Sequence, residues 1–136
     1  MSEVKPPPER PTVLFVDDDA MVCRSISRLL DRIGFSVTPI CSAEEALGIV
    51  AGTRFDAIVT DHNMPTMSGA ELIDRLLAID PSLAPRIILT SGDLHTQAND
   101  ELIKRTGIRG LQKPFQAAEL ALVLRAATAP GSLSAA

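Results

Sequence analysis

Residues 12–19 read TVLFVDDD, a short apolar run that ends in three consecutive acidic residues. A continuous apolar run of this length is typical of a strand that is buried on both faces of a parallel sheet. After it, apolar residues recur at helical spacing up to Gly34, at Val22, Ile26, Leu29, Leu30 and Ile33. A glycine directly after such a series often ends a helix. The stretch therefore predicts a strand and then a helix, with acidic residues at their junction.

The same pattern of strand and helix repeats along the chain. Further apolar runs predict strands over residues 35–40, 55–60, 86–90 and 110–112. Amphipathic stretches between these runs, and a last one over residues 115–127, predict helices. Alternation at this spacing implies right-handed crossovers and helices on both faces of a parallel sheet. The sequence thus predicts an α/β fold with a doubly wound, five-stranded parallel sheet.

The length of 136 residues fits one domain of ordinary size. Residues 1–11 contain four prolines and no apolar periodicity, which predicts a mobile, Pro-rich arm. The domain is predicted over residues 12–127, and residues 128–136 are predicted to be a flexible tail.

Composition argues against several classes of function. The formal net charge is −4, whereas a nucleic-acid-binding domain needs a basic face. The chain has no Trp or Tyr and only four Phe, so it offers few aromatic side chains on which bases or a flavin could stack. No apolar run approaches the roughly 20 residues of a membrane span, and the polar start does not resemble a signal peptide. We therefore expect a cytoplasmic protein that binds neither nucleic acid directly nor membrane.

The chain contains two cysteines, Cys23 and Cys41. Two cysteines give no disulfide framework and suit a reducing compartment. Each is predicted to be a small residue of the core.

Polar and charged residues follow most of the predicted strands. Residues 17–19 follow the first strand, Asp61 follows the third, Thr90 ends the fourth and Lys113 follows the fifth. Because ligands of open parallel sheets bind beyond the carboxyl ends of the strands, we expect these side chains to converge. Clustered carboxylates repel one another and favour a cation, and a few oxygen ligands suit Mg²⁺. Such a site predicts phosphoryl chemistry, with a carboxylate as nucleophile and a hydroxyl and an ammonium holding the phosphoryl oxygens.

Four segments of the chain resemble a known family. They are VLFVDDD at residues 13–19, DHNMPTMSG at 61–69, IILTS at 87–91 and KPF at 113–115. Together, and in this order over residues 12–127, they resemble the receiver domain of two-component response regulators, the CheY-like family. The resemblance implies the flavodoxin-like (βα)5 receiver fold and a phosphoacceptor that is not itself an enzyme.

The resemblance implies a role for each matching acidic position. Asp61 would be the phosphoacceptor and also a ligand of Mg²⁺. Asp17 and Asp18 would form the acidic pair, with Asp18 the more direct metal ligand and Asp17 acting through water. Asn63 would offer its backbone carbonyl to the metal.

The resemblance also implies how the phosphoryl group is held. Thr90 would bind it and Lys113 would pair with it, and Pro114 would follow a cis peptide bond. The sequence departs from the family at Gly110, where many receivers carry Tyr or Phe. We therefore expect a switch that moves the loop after Thr90 and the following helix, without an aromatic side chain that changes rotamer.

The function implied is transfer of a phosphoryl group from a phosphohistidine onto Asp61, with Mg²⁺. The donor would be a sensor histidine kinase or a histidine phosphotransfer protein, and the signal would pass to a downstream protein partner. The start at Met1 and the short tail suit a stand-alone regulator, whereas the Pro-rich arm suits a receiver excised from a hybrid histidine kinase.

Two other functions compete with this interpretation. A haloacid-dehalogenase-like phosphatase also places an Asp-x-Asp after its first strand, and Asp17 and Asp19 fit that pattern. It needs a late acidic pair, which is missing because Glu119 is the only acid after Lys113, and it leaves Asp61 unexplained. A flavodoxin-like electron carrier needs a phosphate-binding loop and aromatic residues over the flavin, and the sequence offers neither.

The last predicted helix is apolar nearly all round. The side chains predicted to face the sheet are Phe115, Leu120, Val123 and Leu124. The apolar side chains left on its other sides are Ala118, Ala121, Leu122 and Ala126. A helix of this kind is usually covered, which predicts a partner surface or a homodimer there. The competing explanation is that alanine is simply a good helix former.

Overall fold

Strands and helices alternate in the computed structural model, which describes residues 10–129. The strands are β1 (Thr12–Val16), β2 (Ser36–Ile40), β3 (Ala57–Asp61), β4 (Ile87–Ser91) and β5 (Arg109–Gln112). The helices are α1 (Ala20–Ile33), α2 (Ala43–Val50), α3 (Gly69–Ile79), α4 (Gln97–Thr106) and α5 (Ala117–Thr128). A 3₁₀ helix, Pro81–Arg86, lies between α3 and β4 and was not predicted from the sequence. Within residues 10–129, no helix combines the length and the apolar character that a membrane span requires.

All neighbouring strands are parallel, in the order β2-β1-β3-β4-β5. Successive residues of β1 point to opposite faces, so that Val13 and Phe15 enter one apolar core and Leu14 and Val16 enter the other. The predicted doubly wound sheet with helices on both faces is confirmed. This order places the carboxyl ends of β1, β3 and β4 side by side at one edge.

Side-chain caps fix the starts of four helices. The side chains of Asp19, Ser42, Ser68 and Thr96 each accept a hydrogen bond from a backbone N–H of the first turn. Gly34 ends α1 with a φ of 125°, a conformation that favours glycine.

The last residues of the predicted arm are attached to the domain. The Arg10 guanidinium donates to the Phe35 carbonyl at 2.9 Å and pairs with Asp31 at 3.1 Å. Residues 1–9 lie outside the described residues, as do residues 130–136 of the predicted tail. Helix α5 continues to Thr128, one residue into the range predicted as tail.

The two cysteines occupy different environments. Cys23 lies in α1 and is buried, as predicted. Cys41 is exposed, so its placement in the core was wrong. The physical reason is that Cys41 directly follows β2, an edge strand, where the chain turns towards α2.

Helix α5 packs against the sheet and also against α1. The four side chains predicted to face the sheet do so, with Leu120 and Leu124 fully buried and Phe115 and Val123 partly buried against the same core. Ala121 is also buried, so its placement on an outer side was wrong. Contact with α1 widens the buried stripe of the helix beyond the part that faces the sheet. Leu122 is 68% exposed, and Ala118 and Ala126 are exposed as well.

Candidate functional site

Three carboxylates meet at the carboxyl edge of the sheet. Oxygen atoms of Asp17, Asp18 and Asp61 all lie within 4.8 Å of one another. Asp17 follows β1 and Asp61 ends β3, and these strands are parallel neighbours, so their ends are adjacent. Asp17 and Asp61 are buried, whereas Asp18 is exposed. The acidic cluster of Asp17, Asp18 and Asp61 is therefore open to solvent on the Asp18 side.

Lys113 reaches this cluster from the end of β5. Its Nζ lies 3.2 Å from Oδ1 of Asp61 and 3.3 Å from Oδ2 of Asp17. The Lys113 backbone N–H donates to the Ser91 carbonyl at 2.8 Å, which anchors the residue to the end of β4. The Lys113–Pro114 peptide bond is cis. One ammonium thus neutralises part of the charge of three carboxylates.

Burial and the neighbouring charges both shift the pKa values of Asp61 and Lys113. Burial raises the pKa of Asp61, the positive charge of Lys113 lowers it in part, and the charges of Asp17 and Asp18 add to the rise. Burial alone would lower the pKa of Lys113, but the charges of Asp17 and Asp61 outweigh it and leave that pKa above its ordinary value. The cluster therefore holds excess negative charge that Lys113 does not cancel, which favours a further cation.

The acidic residues of the loop after β1 have two different roles. Oδ1 of Asp17 accepts a hydrogen bond from the Asp19 N–H at 2.9 Å, which orients the Asp17 carboxylate. The Asp19 side chain accepts from the N–H groups of Met21 at 3.0 Å and Val22 at 3.3 Å. Asp19 therefore caps α1, and this loop contributes Asp17 and Asp18 to the acidic cluster.

Close packing behind Asp61 requires glycine at position 69. A Cβ built on Gly69 would lie 2.3 Å from the Asp61 carbonyl oxygen and 2.9 Å from Cα of His62. The Gly69 N–H donates to the His62 carbonyl at 2.8 Å and closes the loop on the acceptor strand. Nδ1 of His62 lies 3.1 Å from Oδ1 of Asn63, which is exposed. The loop thus places Asn63 at the surface directly after the acidic cluster.

Thr90 lies beside Asp61 in the neighbouring strand. The two residues are register partners of β3 and β4, and Thr90 is buried. The Thr90 carbonyl accepts from the His62 N–H at 2.8 Å. The hydroxyl, the ammonium of Lys113 and the carboxylates predicted from the sequence are thus brought to one end of the sheet.

Gln112 binds the loop between β4 and α4, and sequence reasoning did not single it out. Its Nε2 donates to the carbonyls of Gly92 at 2.7 Å and of Lys113 at 2.9 Å. Its Oε1 accepts from the Leu94 N–H at 3.1 Å. The one signal in the sequence is its position directly before Lys113, which does not by itself predict a loop contact.

The space beside Gly110 is filled by aliphatic side chains. A Cβ at Gly110 would lie 2.9 Å from a methyl carbon of Leu94 and 3.0 Å from one of Ile103. Leu94 belongs to the loop after β4 and Ile103 to α4. Side chains of this loop and of α4 therefore fill the space next to Gly110, the position where the sequence has no aromatic residue.

An apolar groove of about 610 Å³ adjoins the site. Its lining includes Met21, Val22 and Ile26 of α1 together with Lys113 and Phe115. Met21 is 72% exposed, which is unusual for a large apolar side chain. The groove therefore extends to Lys113, whose ammonium pairs with Asp17 and Asp61.

Comparisons with known proteins all identify relatives among response regulators. The chain matches the response regulator receiver domain over residues 13–125. It is 34% identical to the transcriptional regulatory protein FixJ of Bradyrhizobium diazoefficiens over 116 residues, which are 85% of this chain and 55% of FixJ. It is 36% identical to the transcriptional regulatory protein PrrA of Mycobacterium leprae over 124 residues, 85% of this chain and 49% of PrrA. The chain thus spans about half the length of these curated relatives.

Solved structures show the same similarity. The receiver domain of the Francisella response regulator 1452 superposes with a TM-score of 0.80 at 27% identity, over 88% of this chain and 97% of that one. The receiver domain of the sensor histidine kinase PA1611 from Pseudomonas aeruginosa PAO1 superposes with a TM-score of 0.74 at 25% identity, over 85% and 95% of the two chains. That second structure has a magnesium ion coordinated in its active site cleft.

Proposed function

This chain belongs to the response regulator receiver domain family of two-component signalling, and we propose that it accepts a phosphoryl group on Asp61. The observation that carries the proposal is the placement of the Asp61 carboxylate between two other acids and the ammonium of Lys113. Asp61 ends the central strand β3, and the loop closed by Gly69 holds its backbone.

The donor set fits Mg²⁺. Hard oxygen ligands, an excess of negative charge and one open side suit a cation that keeps several waters. We propose that Asp18 and Asp61 bind Mg²⁺ directly, that Asp17 binds it through water, and that the Asn63 carbonyl completes the set. When bound, the ion neutralises charge on the incoming phosphoryl group. The magnesium ion in the related PA1611 receiver supports this proposal.

The residues of this chain then divide the transfer between them. An Asp61 oxygen attacks phosphorus, the bond from phosphorus to the donor histidine nitrogen breaks, and an acyl phosphate forms on Asp61. Lys113 moves from its carboxylate partner to a phosphoryl oxygen, and the Thr90 hydroxyl donates to another. Both contributions are positioning and charge stabilisation, so we propose a stoichiometric acceptor rather than an enzyme.

The proposed donor is a sensor histidine kinase or a histidine phosphotransfer protein. The apolar groove beside Lys113, with the exposed Met21, supports docking of a protein donor next to Asp61. A downstream protein partner would read the phosphorylated state. We propose that the chain acts in the cytoplasm and without direct contact with nucleic acid.

Stoichiometry separates this function from the phosphatase alternative, which the comparisons do not favour. With excess acetyl phosphate and Mg²⁺, labelling should rise to one phosphoryl group per chain and stop. Incubation with a stable phosphomonoester should release no phosphate. Repeated release of phosphate from the monoester would support a phosphatase instead.

The outer side of α5 is the proposed contact for a partner or for a second copy of the chain. Leu122 is 68% exposed between the exposed Ala118 and Ala126. Leu122→Glu should weaken self-association in sedimentation experiments and leave phosphorylation of Asp61 intact. Ile79→Glu is the matched control, because Ile79 is 56% exposed on α3. Equal effects of the two variants would exclude a specific role for α5.

A further inference from the structure

Cys23 and Cys41 are the two cysteines of the chain, and the fold brings them close together beside the acidic cluster. Sγ of Cys23 lies 3.6 Å from the carbonyl oxygen of Ile40, the residue directly before Cys41. One thiol is buried in α1 and the other is exposed after β2. An accessible thiol and a protected thiol therefore lie on neighbouring parts of the fold.

The main chain of Asp17 connects the two thiols to the acidic cluster. The Asp17 N–H donates to the Ile40 carbonyl at 3.1 Å. The Asp17 carbonyl accepts a hydrogen bond from the Cys23 thiol, with 3.1 Å between Sγ and the oxygen. The Asp17 backbone N–H is therefore held by the residue before Cys41, and the Asp17 backbone carbonyl by the Cys23 side chain.

We propose that Cys23 and Cys41 form a reversible intramolecular disulfide on exposure to hydrogen peroxide, and that this bond weakens cation binding at the acidic cluster. The second half of the inference rests on the proposed function, whereas the first half does not.

The reaction needs one molecule of peroxide for each disulfide. The exposed Cys41 sulfur attacks the peroxide, the O–O bond breaks, and a sulfenic acid and one water form. The Cys23 sulfur then attacks the Cys41 sulfur, and the sulfenic oxygen leaves as a second water. Two thiols are oxidised, one peroxide is reduced to two waters, and the two thiol hydrogens leave with the oxygens.

The positions of the two residues allow the sulfurs to approach. A disulfide requires a sulfur separation of about 2.0 Å, closer than the two thiols lie now. Cys41 lies between β2 and α2, where the exposed side chain can turn, whereas Cys23 is fixed within α1. The approach can therefore come from the Cys41 side with little change in the helix.

Oxidation changes the support of Asp17. A disulfide sulfur has no hydrogen to donate, so the bond from Cys23 to the Asp17 carbonyl is lost. Movement of Cys41 towards Cys23 also pulls on Ile40, whose carbonyl holds the Asp17 N–H. Loss of groups that orient a metal ligand typically costs about tenfold or more in metal affinity.

The first test is the mass of the intact protein after treatment with hydrogen peroxide, without reductant. The wild type should lose two hydrogens as a monomer and regain them with dithiothreitol. Cys41→Ser and Cys23→Ala should show no such loss. Oxygen addition without loss of two hydrogens in the wild type, or a disulfide-linked dimer in its place, would overturn the inference.

The second test is Mg²⁺ binding by calorimetry, because the chain has no Trp or Tyr to report by fluorescence. Oxidised wild type should bind Mg²⁺ about tenfold more weakly than reduced wild type, with recovery after dithiothreitol. Peroxide-treated Cys41→Ser should bind as the reduced protein does. Equal affinity of oxidised and reduced wild type would overturn the effect on the site. Failure of the reduced protein to bind Mg²⁺ would overturn the proposed metal site, while the mass result would still decide the disulfide.

Discussion

Nζ of Lys113 lies 3.2 Å from Oδ1 of Asp61, although β5 and β3 are separated in the sheet by β4. Lys113 therefore reaches across the end of a strand to pair with the residue that we propose as phosphoacceptor. The same ammonium lies 3.3 Å from Asp17, so it can keep one carboxylate partner while it turns to a phosphoryl oxygen. The contact prepares positive charge where negative charge is to be added.

Neutralising Asp61 should stabilise the fold. Burial raises the pKa of Asp61, so the folded state binds its proton more tightly than the unfolded state does. Stability is therefore lost as pH rises from the ordinary pKa of Asp through the raised one. Asp61→Asn should increase the free energy of unfolding at pH 7 in urea denaturation, because it removes one of three clustered carboxylates while Lys113 keeps Asp17 as its partner.

The gain from Asp61→Asn should shrink as the pH is lowered towards the ordinary pKa of Asp, because the wild-type carboxyl is then protonated in the fold. Asp31→Asn is the control, since Asp31 is exposed and pairs with Arg10 outside the site. A gain from Asp61→Asn that does not depend on pH, or an equal gain from Asp31→Asn, would contradict this explanation.

Neighbouring acids in the loop after β1 should differ in their effects on Mg²⁺. Asp18→Ala should weaken Mg²⁺ binding at least about tenfold, because it removes one of three clustered carboxylates. Asp19→Ala should leave Mg²⁺ affinity nearly unchanged and lower stability by about 1 kcal/mol, because Asp19 caps α1. Calorimetry and urea denaturation measure the two effects, and the assignment is wrong if the two variants exchange these results.

The effect of Gly→Ala substitutions on stability should depend on the atoms that the new Cβ would contact. Gly69→Ala places Cβ 2.3 Å from the Asp61 backbone oxygen and should cost about 3 kcal/mol or more. The three atoms nearest to a Cβ in Gly110→Ala are side-chain methyl carbons of Leu94 and Ile103, which can shift, so this variant should cost about 1 kcal/mol. Gly48→Ala in α2 meets nothing within 4 Å and should be stabilising by about 0.5 to 1 kcal/mol. Thermal or urea denaturation that gives a different order would contradict the packing described at Asp61.

Gln112 should hold the loop after β4, which we propose responds to phosphorylation. Gln112→Ala removes the bonds to the Leu94 N–H and the Gly92 carbonyl, so the Leu94 amide should exchange faster with solvent. Gln112→Glu can still accept from Leu94 and should protect that amide better than alanine does. Hydrogen exchange measured by NMR distinguishes these cases. Unchanged exchange at Leu94 in Gln112→Ala would show that the loop is held by other contacts.

The pattern of apolar and polar residues was sufficient to predict the fold and the convergence of the site residues. Apolar runs that end in acids, a hydroxyl or a lysine fix the positions of Asp61, Thr90 and Lys113, because parallel strands bring their carboxyl ends to one edge. The cap at Asp19 could also be predicted, because an acid directly before a helical pattern favours that position.

Contacts between distant segments could not be predicted in the same way. The hydrogen bonds of Gln112 depend on the path of the loop after β4, and the burial of Ala121 depends on how α1 packs against α5. The exposure of Cys41 depends on the position of β2 at the sheet edge, which the run of strands alone did not predict. Each of these features is set by tertiary packing, for which local periodicity carries no information.

The most direct measurement is the mass of the intact protein after incubation with acetyl phosphate and Mg²⁺, followed by mapping of the modified residue. The wild type should gain one phosphoryl group, located on Asp61, and the gain should disappear when the metal is chelated. Asp61→Asn should gain none under the same conditions. Full modification of Asp61→Asn, or a phosphoryl group mapped to Asp17 or Asp18 in the wild type, would contradict the assignment of Asp61 as phosphoacceptor.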